Sequence, residues 1–532
     1  MQSNWSQECT ICADCWLVVY YTIKVSRVCK GIDLELNSID EGNFSTKRGN
    51  RVMSLSEIGN RAQISTSLLE GQCSCRPLRG HCVYFIGIGG IGMSAIARIL
   101  IHEGCIVAGS DLRTSSLTST LEEMGARITT KQDGSFMSLE TDMVVVSASI
   151  SEDNPDLKIA RKLGIKVVKY SQILGSLMKE KRGIAISGTH GKTTTSAMIS
   201  TILKTAGLDP TFVIGGDVPD IGGNAHLGKG NLFVAEACEY DRSFLNLTPQ
   251  VGVITNIEED HLDYYENIEK IISAFGDFAS SISSDGLLVV DNRDDNVAVA
   301  VKRAHCKVET YSLDNSSDWC GEVLSGSSGI KRFSVFKKDK FFDEFSLKIP
   351  GSHNVLNALA AIAVCTFIGV DKDSIKAALA SFYGANRRFQ IVGVKSGITV
   401  IDDYAHHPTE IRVTLRAARE LYPEKKIWCI FQPHQHSRTR HLLKEFARSF
   451  QNANKVILAD IFAARDNDYE KNAMSAMKLY EETRNAGVDI QYVPQFCDIV
   501  NVLSSNVKTG DIVLTMGAGD VWKVAYDLVM RL

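Results

Sequence analysis

The densest chemistry in this 532-residue chain lies in Ser187-Gly188-Thr189-His190-Gly191-Lys192-Thr193-Thr194. These residues follow an apolar run at 183–187 and lead into a stretch of helical character at 193–206. A glycine-bearing turn between strand and helix offers backbone amides to phosphate oxygens, a lysine to the terminal phosphates and a threonine hydroxyl to Mg2+. The strict P-loop pattern has glycine where this chain has Ile186, so the match is to the G-T-x-G-K-T variant, and ATP is the expected driving force. Downstream, Glu236 ends the apolar run 232–236, as a Mg2+-binding acid beside a P-loop does, and Glu239 follows three residues later. Residues 255–263 then bring Glu258, Glu259, Asp260, His261 and Asp263 together. Nine of the twelve histidines sit in or beside loops of this kind, which argues against a merely solvated acidic surface.

A second motif precedes the first. Gly87-Ile88-Gly89-Gly90-Ile91-Gly92 satisfies G-x-G-x-x-G after the apolar run 82–88, and Asp111 lies nineteen residues past the last glycine. The glycines let the backbone approach a diphosphate at a helix N-terminus, and the acid takes a ribose hydroxyl. Taken alone this points to NAD and a dehydrogenase, although the fingerprint recognises nucleotide diphosphates in general.

Each loop needs a strand to end on and a helix to open, and the chain supplies that alternation three times. Strand-like runs fall at 82–88, 105–108, 143–148 and 166–170 with helices at 93–100 and 117–125; then at 183–187, 232–236, 251–256 and 286–291. A third set has strands at 398–403, 426–432, 455–460 and 511–516 and helices at 408–420 and 438–453. Alternating strand and helix predicts parallel α/β sheets, and at roughly 150 residues per domain the length fits three units. The boundaries drawn are 80–182, 183–386 and 387–532, after an extension of low order at 1–79.

Lys plus Arg is 58 against 62 for Asp plus Glu, a net charge of −4, which disfavours a nucleic-acid binder. The longest early apolar run, 16–23, ends at Lys24, far short of the ~20 residues that span a bilayer, so membrane insertion is not expected. Glu8 and Asp14 precede any positive charge, against a secretory signal, and the expected location is cytoplasmic. Seven of the fourteen cysteines lie within the first 82 residues. Among them Cys9, Cys12 and Cys15 have metal-site spacing but no completing C-x-x-C or H-x-x-H, and the seven beyond residue 82 read as small apolar fillers.

The ordered motifs, taken together, resemble those of the Mur ligases of peptidoglycan synthesis over some 450 residues, from about Val83 onward. The resemblance rests on Phe85 to Met93, Gly109-Ser110-Asp111, Gly188 to Thr194, Glu236-Ala237-Cys238-Glu239 and Thr255 to Asp263. It continues through Gly351-Ser352-His353-Asn354-Val355-Leu356-Asn357-Ala358, Arg387-Arg388-Phe389 and Asp402 to Glu410, and ends with Phe431-Gln432-Pro433-His434, Arg438 and Arg440. It implies a three-domain α/β architecture: a Rossmann-like domain for a UDP-sugar, a central P-loop ATPase domain, and a Rossmann-like C-terminal domain that brings an amino acid. Within the family it points to the branch that joins L-alanine to the lactyl carboxylate of UDP-N-acetylmuramate through an acyl phosphate. The muramyl-peptide recycling branch is the alternative.

By the same resemblance, Gly87, Gly89, Gly90, Gly92 and Asp111 would hold the UDP-sugar, with Asn224, His226 and His407 at the substrate. ATP would lie on Gly188, Thr189, His190, Gly191, Lys192, Thr193 and Thr194, with Asn354 and Asn357 near the adenine. Arg387 or Arg388 would approach the phosphates from the hinge, and Asp403 would come from the closing domain. Thr193 and Glu236 would bind one Mg2+ and His261 a second, and His226 or His261 would take the proton of the attacking amine. Two departures from the family stand out. No lysine occurs in 271–301, where other branches place a carbamylated lysine, and the first 80 residues have no family counterpart; we expect the latter to reflect an upstream start, with Met53 a candidate true start. A dehydrogenase would leave the P-loop unexplained, and a non-catalytic sugar sensor would have no need of Lys192.

Overall fold

A computed structural model of the chain describes residues 79–532 apart from 315, 325–328 and 465, together with the backbone of a hairpin, Thr46–Arg48 with Arg51–Met53. The extension expected at 1–79 and the Cys9, Cys12, Cys15 triplet otherwise lie outside the described residues.

Three sheets carry the described chain. The first has five parallel strands in the order Arg127–Thr129, Ile106–Ser110, Cys82–Ile86, Met143–Val146, Lys166–Lys169. Successive strands leave Cys82–Ile86 in opposite directions across the sheet, so a crevice opens beyond its C-terminal end, where the glycine motif turns into the helix Ile91–His102. Val83, Tyr84, Phe85 and Ile86 are all at most 2% exposed, the two-sided burial that a central parallel strand requires.

The second sheet has ten strands. Its parallel centre runs Thr211–Val213, Leu232–Glu236, Arg182–Ser187, Val251–Ile254, Leu287–Asp291, Lys307–Ser312, Trp319–Leu324, and Ala225–His226 is added antiparallel at one edge. At the other edge Lys331–Lys337 and Lys340–Leu347 form an antiparallel hairpin. The strands from Lys307 to Leu347 were not anticipated, because charged residues such as Lys307, Glu322, Arg332 and Lys340 interrupt their apolar alternation. The last two are joined by the turn Lys338-Asp339, whose residues both adopt positive φ (48° and 62°), the geometry that tight two-residue hairpins favour.

The third sheet is ordered Gln390–Lys395, Ile398–Asp403, Ile512–Met516, Ile427–Phe431, Lys455–Leu458, Ile490–Tyr492, all parallel but for the antiparallel first strand. The single helix expected at 438–453 is instead two short ones, His436–His441 and Leu443–Ala447. The chain leaves helical geometry at Leu442 (φ −105°, ψ 25°), and the buried Leu442, Phe446 and Phe450 turn together into the core of this unit.

Among the described residues no helix is long and apolar enough to cross a membrane. Of the described cysteines, Cys105, Cys320, Cys365 and Cys429 are buried among apolar side chains. The first and third units touch through Arg113 and Asp520 at 3.5 Å, with the arginine side chain 77% exposed. An exposed pair of this kind contributes little, and Arg113→Ala is expected to lower unfolding stability by less than about 1 kcal/mol. A larger loss in a denaturant titration would show that this contact locks the two units together.

Candidate active site

The P-loop leaves the strand Arg182–Ser187 and opens the helix Lys192–Thr205. Its glycines are dictated by space as well as by conformation. A Cβ on Gly188 (φ 131°) would lie 1.9 Å from Thr255 Oγ1, and one on Gly191 (φ 83°) 2.6 Å from Asn357 Oδ1. Asn256 braces the loop from the next strand end: its carbonyl accepts from the Thr189 amide (3.0 Å) and its side-chain oxygen from the His190 amide (2.8 Å). Asn354 and Asn357, on the buried helix Ser352–Ile368, form a chain beneath it, with Asn357 Nδ2 donating to Asn354 Oδ1 (3.2 Å) and Thr195 Oγ1 donating to Asn357 Oδ1 (3.3 Å).

Lys192 Nζ donates to the Thr189 carbonyl (3.1 Å) and to both oxygens of Glu239 (3.1 and 2.9 Å). Burial opposes the ammonium charge, but Glu239 prevails and holds the lysine pKa above its ordinary value. Thr193 Oγ1 donates to Glu236 at 3.1 and 3.0 Å, and Glu236 also accepts from the Gly215 amide at 2.7 Å. A hydroxyl and a carboxylate converging at a helix N-terminus form the hard oxygen donor set that Mg2+ takes. His261, in left-handed backbone (φ 53°), places Nε2 3.6 Å from Glu239, while its buried Nδ1 has no partner. Thr193, Glu236 and His261 therefore fit divalent cation binding.

The third unit is docked on this cluster. Arg388 Nη2 reaches Thr193 Oγ1 at 3.5 Å, whereas Arg387 is spent inside its own unit on Asp402 (2.9 Å) and the Gly517 carbonyl (2.6 Å). Of the two hinge arginines, only Arg388 therefore faces the loop. Asp403 ties the hinge by accepting from the amides of Phe389 (2.8 Å) and Ala405 (2.7 Å). Burial raises the Asp403 pKa to about 6 against the pull of Arg388. The acid loop after Val251–Ile254 is gripped from the same side. Thr409 Oγ1 donates to Glu258 (2.6 Å), the His407 ring nitrogen Nε2 meets the Glu259 carbonyl (3.2 Å), and Arg438 binds Asp260 through Nε (3.0 Å) and Nη2 (2.8 Å). A cleft between the two units is lined by Asp260, His261, Asp263, Gln435, Arg438 and His441.

His190 stands at the centre of this contact. Nδ1 is 3.1 Å from Glu410 and Nε2 3.5 Å from Glu258, and the ring lies 4.6 Å from that of His407. Burial lowers its pKa, but the carboxylates of Glu258 and Glu410 more than offset this and raise it from 6.5 to about 9. The folded state thus favours protonated His190, so the stabilisation is complete below pH 6.5 and is lost as pH rises through about 9. We expect wild type to exceed Glu410→Gln in unfolding stability by about 1–3 kcal/mol near pH 6, with the gap closing by pH 9.5. A gap that does not change with pH would exclude this ion pair as its source.

The remaining expected residues lie at the junction of the first two units. The Gly89 amide donates to Asp111 (2.8 Å), and the Gly87 and Ile88 amides to the Ser110 carbonyl (2.8 and 3.0 Å). A Cβ on Gly92 would strike the Tyr170 ring at 2.9 Å. Asn224, fully buried, donates to the Ile91 carbonyl (2.7 Å) and accepts from Arg98 (3.2 Å), so its amide fastens the central unit to the helix behind the glycine motif. His226 pairs with Asp209 (2.9 Å) beside Phe212 on the edge strands, and no contact joins it to the Lys192 cluster. The two imidazoles expected to serve the amine are therefore on different elements. The pairings of Glu239 with Lys192 and of Arg438 with Asp260 were not read from the sequence; both join residues that are distant along the chain, although the E-x-x-E spacing of Glu236 and Glu239 did mark the first.

Three α/β units, with a P-loop in the central one and the third unit docked over it, define an ATP-handling ligase architecture of Mur type. Family models match in the same order: "Mur ligase family, catalytic domain" over 82–182, "Mur ligase middle domain" over 186–365, and "Mur ligase, glutamate ligase domain" over 387–519. The chain belongs to the Mur ligase family. Among its relatives is the UDP-N-acetylmuramate–L-alanine ligase of Caldanaerobacter subterraneus subsp. tengcongensis, 44% identical over 444 residues that cover 83% of this chain and 96% of that protein. The enzyme of the same name from Clostridium acetobutylicum is 46% identical, again over 83% and 96%. The crystal structure of the UDP-N-acetylmuramate-alanine ligase of Thermotoga maritima superposes with a TM-score of 0.73 at 31% identity, covering 84% of this chain and 98% of that one. A murein peptide ligase from Psychrobacter arcticus gives 0.67 at 26% identity, covering 85% and 98%.

Proposed function

We propose that this protein joins L-alanine to the lactyl carboxylate of UDP-N-acetylmuramate in peptidoglycan precursor synthesis, with ATP converted to ADP and phosphate. The observation that carries the reading is 44–46% identity, over 83% of the chain, to ligases named for that reaction. The division into 80–182 for the UDP-sugar, 183–386 for ATP and 387–532 for the amino acid belongs to the same proposal, as does a cytoplasmic site of action, where nucleotide substrates are made.

A carboxylate is a poor electrophile, so the lactyl carboxylate first attacks the γ-phosphate in line; the amine of alanine then attacks the resulting acyl phosphate and phosphate leaves. Gly87, Gly89, Gly90 and Gly92 bring backbone to the UDP diphosphate, and Asp111 stands where a ribose hydroxyl is met. Asn224 sets the angle between this crevice and the P-loop. Lys192 and Arg388 neutralise charge on the transferring phosphoryl group, and the amides of Gly188 to Thr194 cradle the other phosphates. Thr193 and Glu236 would hold one Mg2+ and His261 a second, and these ions would supply Lewis-acid charge at the phosphates. Asn354 and Asn357 support the loop beside the adenine. Asp403 and His407 seat the third unit, which keeps water from an intermediate that would otherwise hydrolyse.

Purified protein is expected to release phosphate from ATP only when UDP-N-acetylmuramate and L-alanine are both present. Equal turnover with D-glutamate would sink the assignment, and equal turnover with a tripeptide would move it to the recycling branch.

A further inference from the structure

Among the described residues Glu239 is the one carboxylate that pairs with both Lys192 and His261, and the roles proposed above leave it without a function. Its side chain is 5% exposed. Both oxygens take the Lys192 ammonium, and Oε1 lies 3.6 Å from His261 Nε2. The remaining Lys192 contacts are the carbonyls of Gly188 (2.5 Å) and Thr189 (3.1 Å), so the ammonium is turned back on its own loop. Glu239 is also rigidly placed. Its carbonyl accepts from the buried Tyr265 hydroxyl (2.5 Å) and the Arg242 amide (3.0 Å), and the chain then passes through two consecutive left-handed residues, Asp241 (φ 55°) and Arg242 (φ 52°). Two such residues in succession cost about 1 kcal/mol or more each, a local strain that aims the side chain inward.

A lysine held this way cannot serve a phosphate until Glu239 releases it. Once released, a buried carboxylate would face phosphate oxygens of like charge, an arrangement that persists only if a cation replaces the lysine. His261 lies beside it, with Nε2 3.6 Å from the carboxylate and the buried Nδ1 without a hydrogen-bond partner, and a carboxylate and an imidazole side by side are ligands for a divalent cation. We propose that Glu239 changes partners during the cycle: it restrains Lys192 before nucleotide binds, then turns with His261 to the divalent cation when phosphate takes the lysine. This rests on the ATP-handling reading above. It makes Glu239 one source of the metal dependence of nucleotide affinity, beside Thr193 and Glu236, since the same carboxylate competes with phosphate when metal is absent and recruits the cation when metal is present.

The test is equilibrium titration of the full-length protein with a non-hydrolysable ATP analogue, in EDTA and in Mg2+. Glu239→Gln keeps the shape and removes the charge. It is expected to bind the analogue about tenfold more tightly than wild type in EDTA, and to gain about tenfold less than wild type on adding Mg2+, the share that remains coming from Thr193 and Glu236. Equal or weaker binding in EDTA, or an undiminished gain with Mg2+, would overturn the proposal. Should Glu239→Gln fail to fold, Glu239→Asp, which keeps the charge but withdraws it by one methylene, is expected to show the same change in EDTA at about threefold, and no change would overturn it equally. Wild type that binds no analogue in Mg2+ would overturn the ATP reading along with this one, whereas binding that ignores the substitution overturns only the role of Glu239.

Discussion

Lys192→Ala abolishes ligation while UDP-N-acetylmuramate binding stays within about threefold of wild type: this is the largest effect expected of any single substitution. Lys192 is the only side-chain ammonium described in the P-loop, and removal of one preorganised charge from a phosphoryl-transfer site costs on the order of a thousandfold or more. The loss should be confined to turnover, because the Gly87 to Gly92 crevice belongs to a different sheet and its contacts run to Ser110, Asp111 and Tyr170. Steady-state phosphate release and direct sugar titration measure the two quantities separately. Lost sugar binding would show that the crevices have been assigned to the wrong substrates. Retained turnover would remove the P-loop from the chemistry.

The second large effect concerns the clasp between Arg438 and Asp260. Both side chains are at most 10% exposed, and the guanidinium makes two bonds to one carboxylate oxygen. Burial works against ionised Asp260, but Arg438 prevails and holds its pKa well below the usual carboxylate range. Removing one member of such a pair strands the other, at about 3–5 kcal/mol. Arg438→Ala is therefore expected to lower ligation at least about a hundredfold and to leave the affinity for UDP-N-acetylmuramate within about threefold, since the Gly87 to Gly92 crevice belongs to a different sheet. Asp260→Asn should cost about the same, and the double variant should be no worse than either single one. Additive losses would mean that the two residues act separately.

Much of this arrangement was legible in the residues themselves. Strands that end in glycine turns announced the first two units' loops, because a loop that must approach phosphate closely leaves no room for side chains, a requirement seen at Gly188 and Gly191. The strand Leu232–Glu236 and the start of the helix at Pro408 were equally clear, the latter because a capping histidine and Glu410 frame a proline at its first turn. The strands from Lys307 to Leu347 were hidden by charged residues that interrupt their apolar alternation, and the break at Leu442 by an apolar period that continues across it. Contacts between units were the least legible. Nothing local in the sequence tells that Arg387 folds back on Asp402 while its neighbour Arg388 crosses to Thr193, because adjacent residues at a left-handed turn (Arg387 φ 61°) point opposite ways.

The brace formed by Asn256 has a thermodynamic corollary. Its amides hold the phosphate loop, and within the next four residues the same short segment supplies Glu258, Glu259 and Asp260 to the third unit. Nucleotide and docked unit thus read the position of one stretch of backbone from its two ends. By reciprocity, whatever factor nucleotide contributes to docking, docking must return to nucleotide affinity. An enzyme built this way retains ATP most firmly when it is shut, and a substitution that loosens the far end, at Thr409 or Arg438, shortens the residence of a ligand it never touches.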